Sequence, residues 1–290
     1  MKMENTEKNR LQESTLYLVG TPIGNLSDIS ERAKKVLSEV DFIAAEDTRN
    51  SMKLCSVLGI KKEFVSYFEH NKKSSGEKIV ARLLAGESCA LVTDAGMPAV
   101  SDPGEDIVRL CADAGITVSI IPGPCAAISA LALSALSSAR FSFEGFLPAQ
   151  KGERSKRLSS LEKEERTMIF YEAPHKLKAT LSDMENAFGG KRKISLCREL
   201  TKLNEEVIRT TLEGAINLYS EKEPRGEYVL IIECALEAGV DTSEENPLLS
   251  LSPTEHVEHY ISDGYSKMDA IKAAAKDRKI SKSEMYKLVL

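Results

Sequence analysis

The 290-residue sequence predicts an α/β protein built of two domains, followed by a small C-terminal helical module. Three observations carry this. In the first half, short β-branched or aromatic runs alternate with amphipathic stretches, the pattern of βαβ units on a mainly parallel sheet. In the second half the strand-like runs lie closer together, as a mixed sheet requires. From Thr254 onward the strand signal disappears and capped helices take over.

Residues 1–14 are polar, have no apolar segment of the kind a secretory signal needs, and read as a tail outside the fold. LYLVG (16–20) is the first strand. It leads through GTPIGN to a helix near 28–39. DFIAAED (41–47) precedes a helix near 48–58. CALVTD (89–94) runs into a Gly/Pro-rich loop and a helix near 104–114. TVSIIPG (117–123) leads into PCAAISALALSAL. The texture changes between 120 and 150. A boundary at 125/126 gives an N-terminal α/β domain of 15–125 and a second of 126–236. The second domain contains FSFEGFLP (141–148), a basic helix near 152–163, TMIFYEA (167–173), a helix near 175–188, and the strands KISLCREL (193–200), EEVIRTTL (205–212) and GEYVLIIECA (226–235).

Residues 237–252 are acidic and rich in turn formers, and read as a linker. In the module at 253–290, Ser266 with Asp269 and Ser281 with Glu284 have capping-box spacing. Val257, Tyr260 and Ile261 would form one apolar face, Ile271, Ala274 and Ala275 another, and Met285, Leu288 and Val289 a third. Three short helices with brief turns suggest a helix-turn-helix-like unit, suited equally to packing and to RNA contact.

Composition narrows the function classes. No apolar run reaches the roughly 20 residues that span a bilayer, so no membrane partner is expected. The cysteines at 55, 89, 111, 125, 197 and 234 form no C-x-x-C pair, which fits a reduced, cytoplasmic protein. His256 and His259 lack a third ligand nearby, so no metal site is expected. A net charge of -5 argues against a surface coated for non-specific nucleic-acid binding. Basic segments remain at 71–73, 151–157 and 191–193.

In open α/β sheets, ligands bind beyond the carboxyl ends of the strands. GTPIGN fits neither phosphate motif: Gly20 and Gly24 have the wrong spacing, and Pro22 lacks a backbone donor. TDAGMPAVSDPG (93–104) and IPGPCAA are likewise built from small residues that let a ligand approach the main chain. Together the loops suit a nucleoside without phosphates. AEDTR, YEAPH and RELTK concentrate charge at strand ends. Glu46, Asp47, Arg49, Glu172, His175, Arg198, Glu199 and Lys202 are therefore candidates for chemistry, for ion pairing, or for holding phosphate.

The motifs LVGTPIGNLSDIS, AEDTR, VTDAGMPAVSDPG, IPGPCAAISAL, FEGFLP, IFYEAPHK, CRELTK and GEYVLII run in that order through residues 16–235. In them the chain resembles the ribosomal-RNA small-subunit methyltransferase I family, cytidine 2'-O-ribose methyltransferases of the tetrapyrrole-methylase-like superfamily. Met97 is a departure, since relatives often carry Thr in the DAGTP run. The resemblance implies two α/β domains of the tetrapyrrole-methylase type with an S-adenosylmethionine cleft between them. Carried onto this chain, the cofactor-binding residues would be Pro22, Ile23, Gly24, Asp94, Met97, Ala99, Cys125, Ala126, Tyr171, Glu172, Leu200 and Tyr228.

The catalytic residues would come from a cluster of Glu46, Asp47, Arg49, Glu172, Arg198 and Glu199. The RNA-binding residues would be Lys151, Arg154, Lys156 and Arg157. The implied reaction is 2'-O-methylation of a cytidine in 16S ribosomal RNA, with small-subunit RNA or the assembled small subunit as partner and a homodimer as the working form. A methyltransferase acting on a tetrapyrrole precursor and a non-enzymatic ribosome-assembly factor are the alternatives. AEDTR, RELTK and the basic helix favour RNA.

Overall fold

A computed structural model describes residues 10–235, 247–278 and 280–289. The chain divides into two compact units, Met1–Ala235 and Leu236–Leu290. The expected boundary at 125/126 thus lies within the first unit. Parts of the expected tail (1–9) and linker (237–246) lie outside the described residues.

The first unit opens with five parallel strands. They are β1 Thr15–Val19, β2 Phe42–Ala45, β3 Glu63–Ser66, β4 Cys89–Val92 and β5 Thr117–Ile121, in the order β3-β2-β4-β1-β5. Buried β2 and β4 read FIAA and CALV, apolar on both faces because helices cover both sides. Helices α1 (Glu31–Glu39) and α2 (Thr48–Val57) lay Ala33, Val36, Leu37 and Cys55 against Tyr17, Val19 and Ile43. Helices α3 (Lys72–Leu84) and α4 (Gly104–Asp113) lay Ile79, Leu83, Ile107 and Cys111 against Leu16, Phe42 and Leu91 on the other face.

Neighbouring β1 and β4 therefore send their helices to opposite faces. That divergence opens a crevice at their carboxyl ends. The loops beyond it are joined there. Thr21 N–H donates to the Gly96 carbonyl at 2.9 Å, and Gly96 N–H to the Thr21 carbonyl at 3.1 Å. Gly20 meets the loop after β5 so closely that a Cβ on Gly123 would stand 2.8 Å from Gly20 Cα.

The second sheet has the order β6-β7-β10-β8-β9. Its strands are β6 Phe141–Phe146, β7 Thr167–Glu172, β8 Lys193–Arg198, β9 Glu206–Thr211 and β10 Tyr228–Ile232. Only β6 and β7 are parallel. One face packs Leu158, Leu177, Leu181, Leu212 and Tyr219 from α6 (Lys151–Ser160), α7 (Pro174–Phe188) and α8 (Leu212–Glu221). Each such fully buried leucine contributes about 1.5–3 kcal/mol. The other face takes Ala127, Ala130 and Leu131 of α5 (Ala126–Leu133), with Ile23 of the first half packed beside them. Ile23 thus links the two halves.

Several expectations shift. The first helix starts at Glu31 rather than 28, because Leu26–Asp28 is a 3-10 turn and Ser30 caps the helix by accepting from Ala33 N–H. Strand β3 and helices α3 and α8 were not expected. β3 is a half-exposed edge strand, and α3 opens on the polar run KKSSGE.

In the second unit, helices Pro253–Ser262, Lys267–Asp277 and Lys282–Val289 enclose Val257, Ala270, Ile271, Ala274, Ala275 and Met285. The expected faces including Ile261 and Leu288 are corrected, since these are 42% and 55% exposed. The first helix is turned by one residue, so that fully buried His256 takes the inner position. Its Nδ1 accepts from Arg278 Nε at 3.1 Å, so its Nε2 carries the proton and donates to Asp277 at 3.1 Å.

The Gly20–Gly123 contact yields a test. Gly123→Ala should cost about 2 kcal/mol by overpacking against backbone. Gly152→Ala, on a helix with nothing within 4 Å of the new methyl, should gain about 0.5–1 kcal/mol. Urea unfolding of the two variants measures both.

Candidate active site

A cavity of about 520 Å³ lies between the carboxyl ends of the first sheet and the second sheet, a size typical of small-molecule sites. From the first half it is lined by Ile23, Glu46, Thr93, Asp94, Val100 and Asp102, carried by the loops after β1, β2 and β4. From the second come Ala126 at the start of α5, Phe146 at the end of β6, and Tyr171 and Glu172 at the end of β7. Cys197, Glu199, Leu200 and Lys202 follow from β8 and its loop, and Glu227 and Tyr228 from the start of β10. β10 is antiparallel to its neighbours, so it presents its amino end here.

Of the twelve residues expected to hold the cofactor, Ile23, Asp94, Ala126, Tyr171, Glu172, Leu200 and Tyr228 line the cavity. Pro22, Gly24, Met97, Ala99 and Cys125 are not among its lining residues. Gly24 lies against the loop after β8, where a Cβ would come 2.4 Å from Lys202 Cγ. Met97 Sδ accepts from Gly123 N–H at 3.2 Å and so packs between loops. Ala99 has a φ of +65° and donates its N–H to Asp102 Oδ1 at 3.0 Å. Cys125 caps α5 and packs on the second sheet.

The charged candidates separate by partner. Asp47 caps α2 and pairs with exposed Arg49 at 2.7 Å; the Arg49 guanidinium brings its pKa down to about 2. Arg198 pairs with Glu206 across the β8–β9 hairpin at 2.9 Å. None of these three lines the cavity. Glu172 is buried, and its carboxylate accepts from Ala173 N–H at 2.8 Å and Thr180 Oγ1 at 2.5 Å, anchoring the start of α7. Glu199 accepts from Glu227 N–H at 3.0 Å and pairs with Lys202 at 2.9 Å; the Lys202 hydrogen bond holds its pKa low. Burial works against the charge on Lys202, but Glu227 and Glu199 outweigh it and raise its pKa.

Glu46 differs from the rest. It faces the cavity with one side-chain bond, from Thr93 Oγ1 at 3.3 Å, and no ion pair among the described residues. Although Glu46 is exposed, its partial desolvation at the cavity wall, and then the nearby Asp94 and Asp102, raise its pKa. Six carboxylates line the cavity (Glu46, Asp94, Asp102, Glu172, Glu199 and Glu227) against one lysine. With the apolar wall of Ile23, Leu200 and Tyr228, this suits a flat organic ligand of positive charge. Both lips are strained: Ser101, Glu199 and Thr201 have φ of +64°, +51° and +64°.

The basic helix α6 lies outside the cavity lining. Arg154 is held there, 12% exposed, by Asp183 at 2.7 Å and by the carbonyls of Pro148 and Ala149. Arg157 pairs with Glu144. Lys151 and Lys156 are exposed, with no ion pair among the described residues. Asp102, Thr93, Phe146 and Glu227 were not singled out in the sequence, although each sits in or beside a quoted motif. Thr93, Phe146 and Glu227 stand at strand ends, and Asp102 lies in the loop between β4 and α4.

Comparison with known proteins follows the fold. Residues 15–216 match the family model described as tetrapyrrole (corrin/porphyrin) methylases. The chain is 46% identical over 288 residues, 99% of each chain, to the ribosomal RNA small subunit methyltransferase I of Halalkalibacterium halodurans. It is 50% identical over 271 residues, 93% of this chain and 92% of the relative, to that of Bacillus subtilis. Among solved structures, diphthine synthase has a TM-score of 0.59 at 15% identity, covering 76% of this chain and 90% of the other. Uroporphyrin-III-C-methyltransferase from Thermus thermophilus has 0.53 at 19%, covering 76% and 94%. These two support the fold alone.

The raised pKa of Glu46 has a consequence for stability. A carboxyl that holds its proton more tightly folded than unfolded costs nothing in acid. It becomes a penalty as pH rises from the unfolded value through the folded one. Glu46→Gln should therefore be more stable than the parent at pH 7, and the two should converge below about pH 4. Thermal unfolding at several pH values measures the difference.

Proposed function

Because this chain belongs to the tetrapyrrole (corrin/porphyrin) methylases, and among them to the ribosomal RNA small subunit methyltransferase I family, we propose that it 2'-O-methylates a cytidine ribose in 16S ribosomal RNA, with S-adenosylmethionine as methyl donor. The observation that carries the reading is the acidic, apolar-walled cavity. Six carboxylates and one lysine suit the sulfonium and ammonium charges of that cofactor, and Ile23, Leu200, Ala126 and Tyr228 offer a flat apolar wall for its base. The residues present fit the group. A tetrapyrrole carries many carboxylates of its own, which this lining would repel.

S-adenosylmethionine supplies a methyl group already activated on sulfur. The protein must align it and take up one proton as the ribose O–H becomes O–CH3. Glu46 faces the cavity without an ion pair and with its pKa raised, so we assign it the proton. Glu172 fixes the start of α7 beside it. Glu199 and Lys202 hold the loop that bears Leu200. Asp47–Arg49 and Arg198–Glu206 keep their own loops in shape. The partner is small-subunit RNA or the assembled subunit, met on the outer surface by Lys151 and Lys156.

A cytoplasmic setting is supported by six free cysteines. Among the described residues, no helix is long and apolar enough to cross a membrane. A homodimer is supported by exposed Ile120 on edge strand β5 and by Ile128 and Leu133 on α5, apolar side chains that a second copy would cover. Sedimentation of a 31.8 kDa species alone would contradict the dimer.

Calorimetry and methyl transfer to purified small subunits test the core of this reading. The parent should bind S-adenosylmethionine and transfer its methyl to RNA, with activity rising as pH passes the Glu46 pKa. Glu46→Gln should keep cofactor binding, lose about 100-fold or more in kcat, and lose that pH limb. A parent that binds no cofactor contradicts the proposal. For RNA, Lys151→Gln with Lys156→Gln should lower the slope of log affinity against log salt by about 1.5. Arg154 is left in place, because breaking its pair with Asp183 would cost about 3–5 kcal/mol of stability. An unchanged slope would mean that the RNA surface lies elsewhere.

A further inference from the structure

Strand β6 contains an irregularity that re-aims one side chain. Phe143 stands opposite Ile169 of β7, Gly145 opposite Phe170, and Phe146 opposite Tyr171. Glu144 has no opposite residue and forms a β-bulge. Side chains alternate along a strand, so Phe143 and Phe146, three residues apart, would otherwise point to opposite faces. The extra residue restores them to one face, that of Ile169 and Tyr171.

The bulge is held from both sides. Buried Glu144 pairs with Arg157 of α6. Gly145 takes a φ of +63°, and a Cβ there would approach Ser101 Oγ of the first half to 3.2 Å. The arrangement can protect edge strand β6 from edge-to-edge pairing, and it does more than that. Its result is a large aromatic ring left 60% exposed in the wall of the cavity.

That ring does not stand alone. Tyr171 lies behind it with centroids 5.5 Å apart, and Phe143 lies against Tyr171 at 5.1 Å, edge to face. Tyr171 is therefore held between two rings, and Phe146 is the exposed outer member of an aromatic cluster. Unstacked RNA bases are received on such faces. The inner wall of Leu200, Ala126 and Cys197 is less exposed and already suits the cofactor's own base.

We propose that Phe146 is the platform on which the base of the target nucleotide stacks when its ribose enters the cavity, and that the bulge at Glu144 exists to aim it. The proposal rests on the reading of the chain as an RNA ribose methyltransferase and deepens that reading. The base is a pyrimidine drawn out of its neighbours' stack. Phe146 gives it a π-face and no hydrogen bond, so the platform positions the nucleotide without itself choosing the base.

Two measurements on the full chain test this. In the first, Phe146→Ala should lower kcat/KM for small subunits by about tenfold or more. Phe146→Tyr should restore it, and both variants should bind S-adenosylmethionine within about twofold of the parent. In the second, a short single-stranded RNA carrying the fluorescent cytosine analogue pyrrolocytosine is titrated onto the protein. Its emission should be quenched by the parent and by Phe146→Tyr, and not by Phe146→Ala. Quenching without methyl transfer by the parent would keep the platform and remove the assigned reaction. Equal quenching by Phe146→Ala, or its methylating subunits at the parent rate, overturns the platform. Cofactor affinity falling in step with activity also overturns it, since Phe146 would then belong to the cofactor wall.

Discussion

The site depends on two backbone hydrogen bonds between Thr21 and Gly96. They tie the loop after β1 to the loop after β4 across the crevice where the first sheet changes the side of its helices. The loop after β5 is pressed against the same point through Gly20 and Gly123, where neither position has room for a side chain. Three connections that would otherwise move independently become one surface. Most of what the first half contributes to the cavity hangs from it, with Ile23 three residues beyond Gly20 and Asp94 and Asp102 on either side of Gly96; Glu46 comes separately, from the loop after β2.

The second half meets that surface with a loop that is strained and heavily tied. Glu199 and Thr201 hold left-handed backbone conformations. The loop is secured by Glu199 N–H to the Glu227 carbonyl at 3.0 Å, by Thr201 N–H to Glu205 at 2.6 Å, and by Lys202 bridging two glutamates. Such conformations persist where the surroundings over-determine them, and they cluster at functional sites. The charge is divided between regions: carboxylates line the cavity, while Lys151 and Lys156 of α6, without an ion pair among the described residues, face solvent. On the proposed reading, an acidic interior would attract a cationic donor and resist phosphate, keeping the RNA backbone to the rim while a single nucleoside enters.

Much of the fold was legible in the sequence because burial on both faces leaves a simple trace. FIAA and CALV can hardly be anything but central parallel strands. The edge strand β3 and the polar start of α3 left no such trace. At the site, loops whose role is backbone approach were legible, since Gly and Pro mark them directly. Charged residues were not. The partner of Arg198 lies across a hairpin, and that of Arg154 is on another helix. Neither pairing can be read from spacing, so cations equally fit for phosphate turned out to hold the fold together. The bulge in β6 was hidden for a related reason. FSFEGF reads as ordinary alternation until the pairing with β7 shows that Glu144 is skipped.

The central claim is that this cavity delivers a methyl group to one ribose oxygen of small-subunit RNA. A 2'-O-methyl group removes the nucleophile that cleaves RNA in alkali, so the linkage after it survives hydrolysis. The direct measurement is an alkaline ladder of 16S RNA from purified small subunits incubated with the protein and S-adenosylmethionine. The account predicts one new gap, at a cytidine, that is missing without the cofactor. A ladder with no new gap, with the methyl group recovered on a base or on no RNA at all, would contradict it.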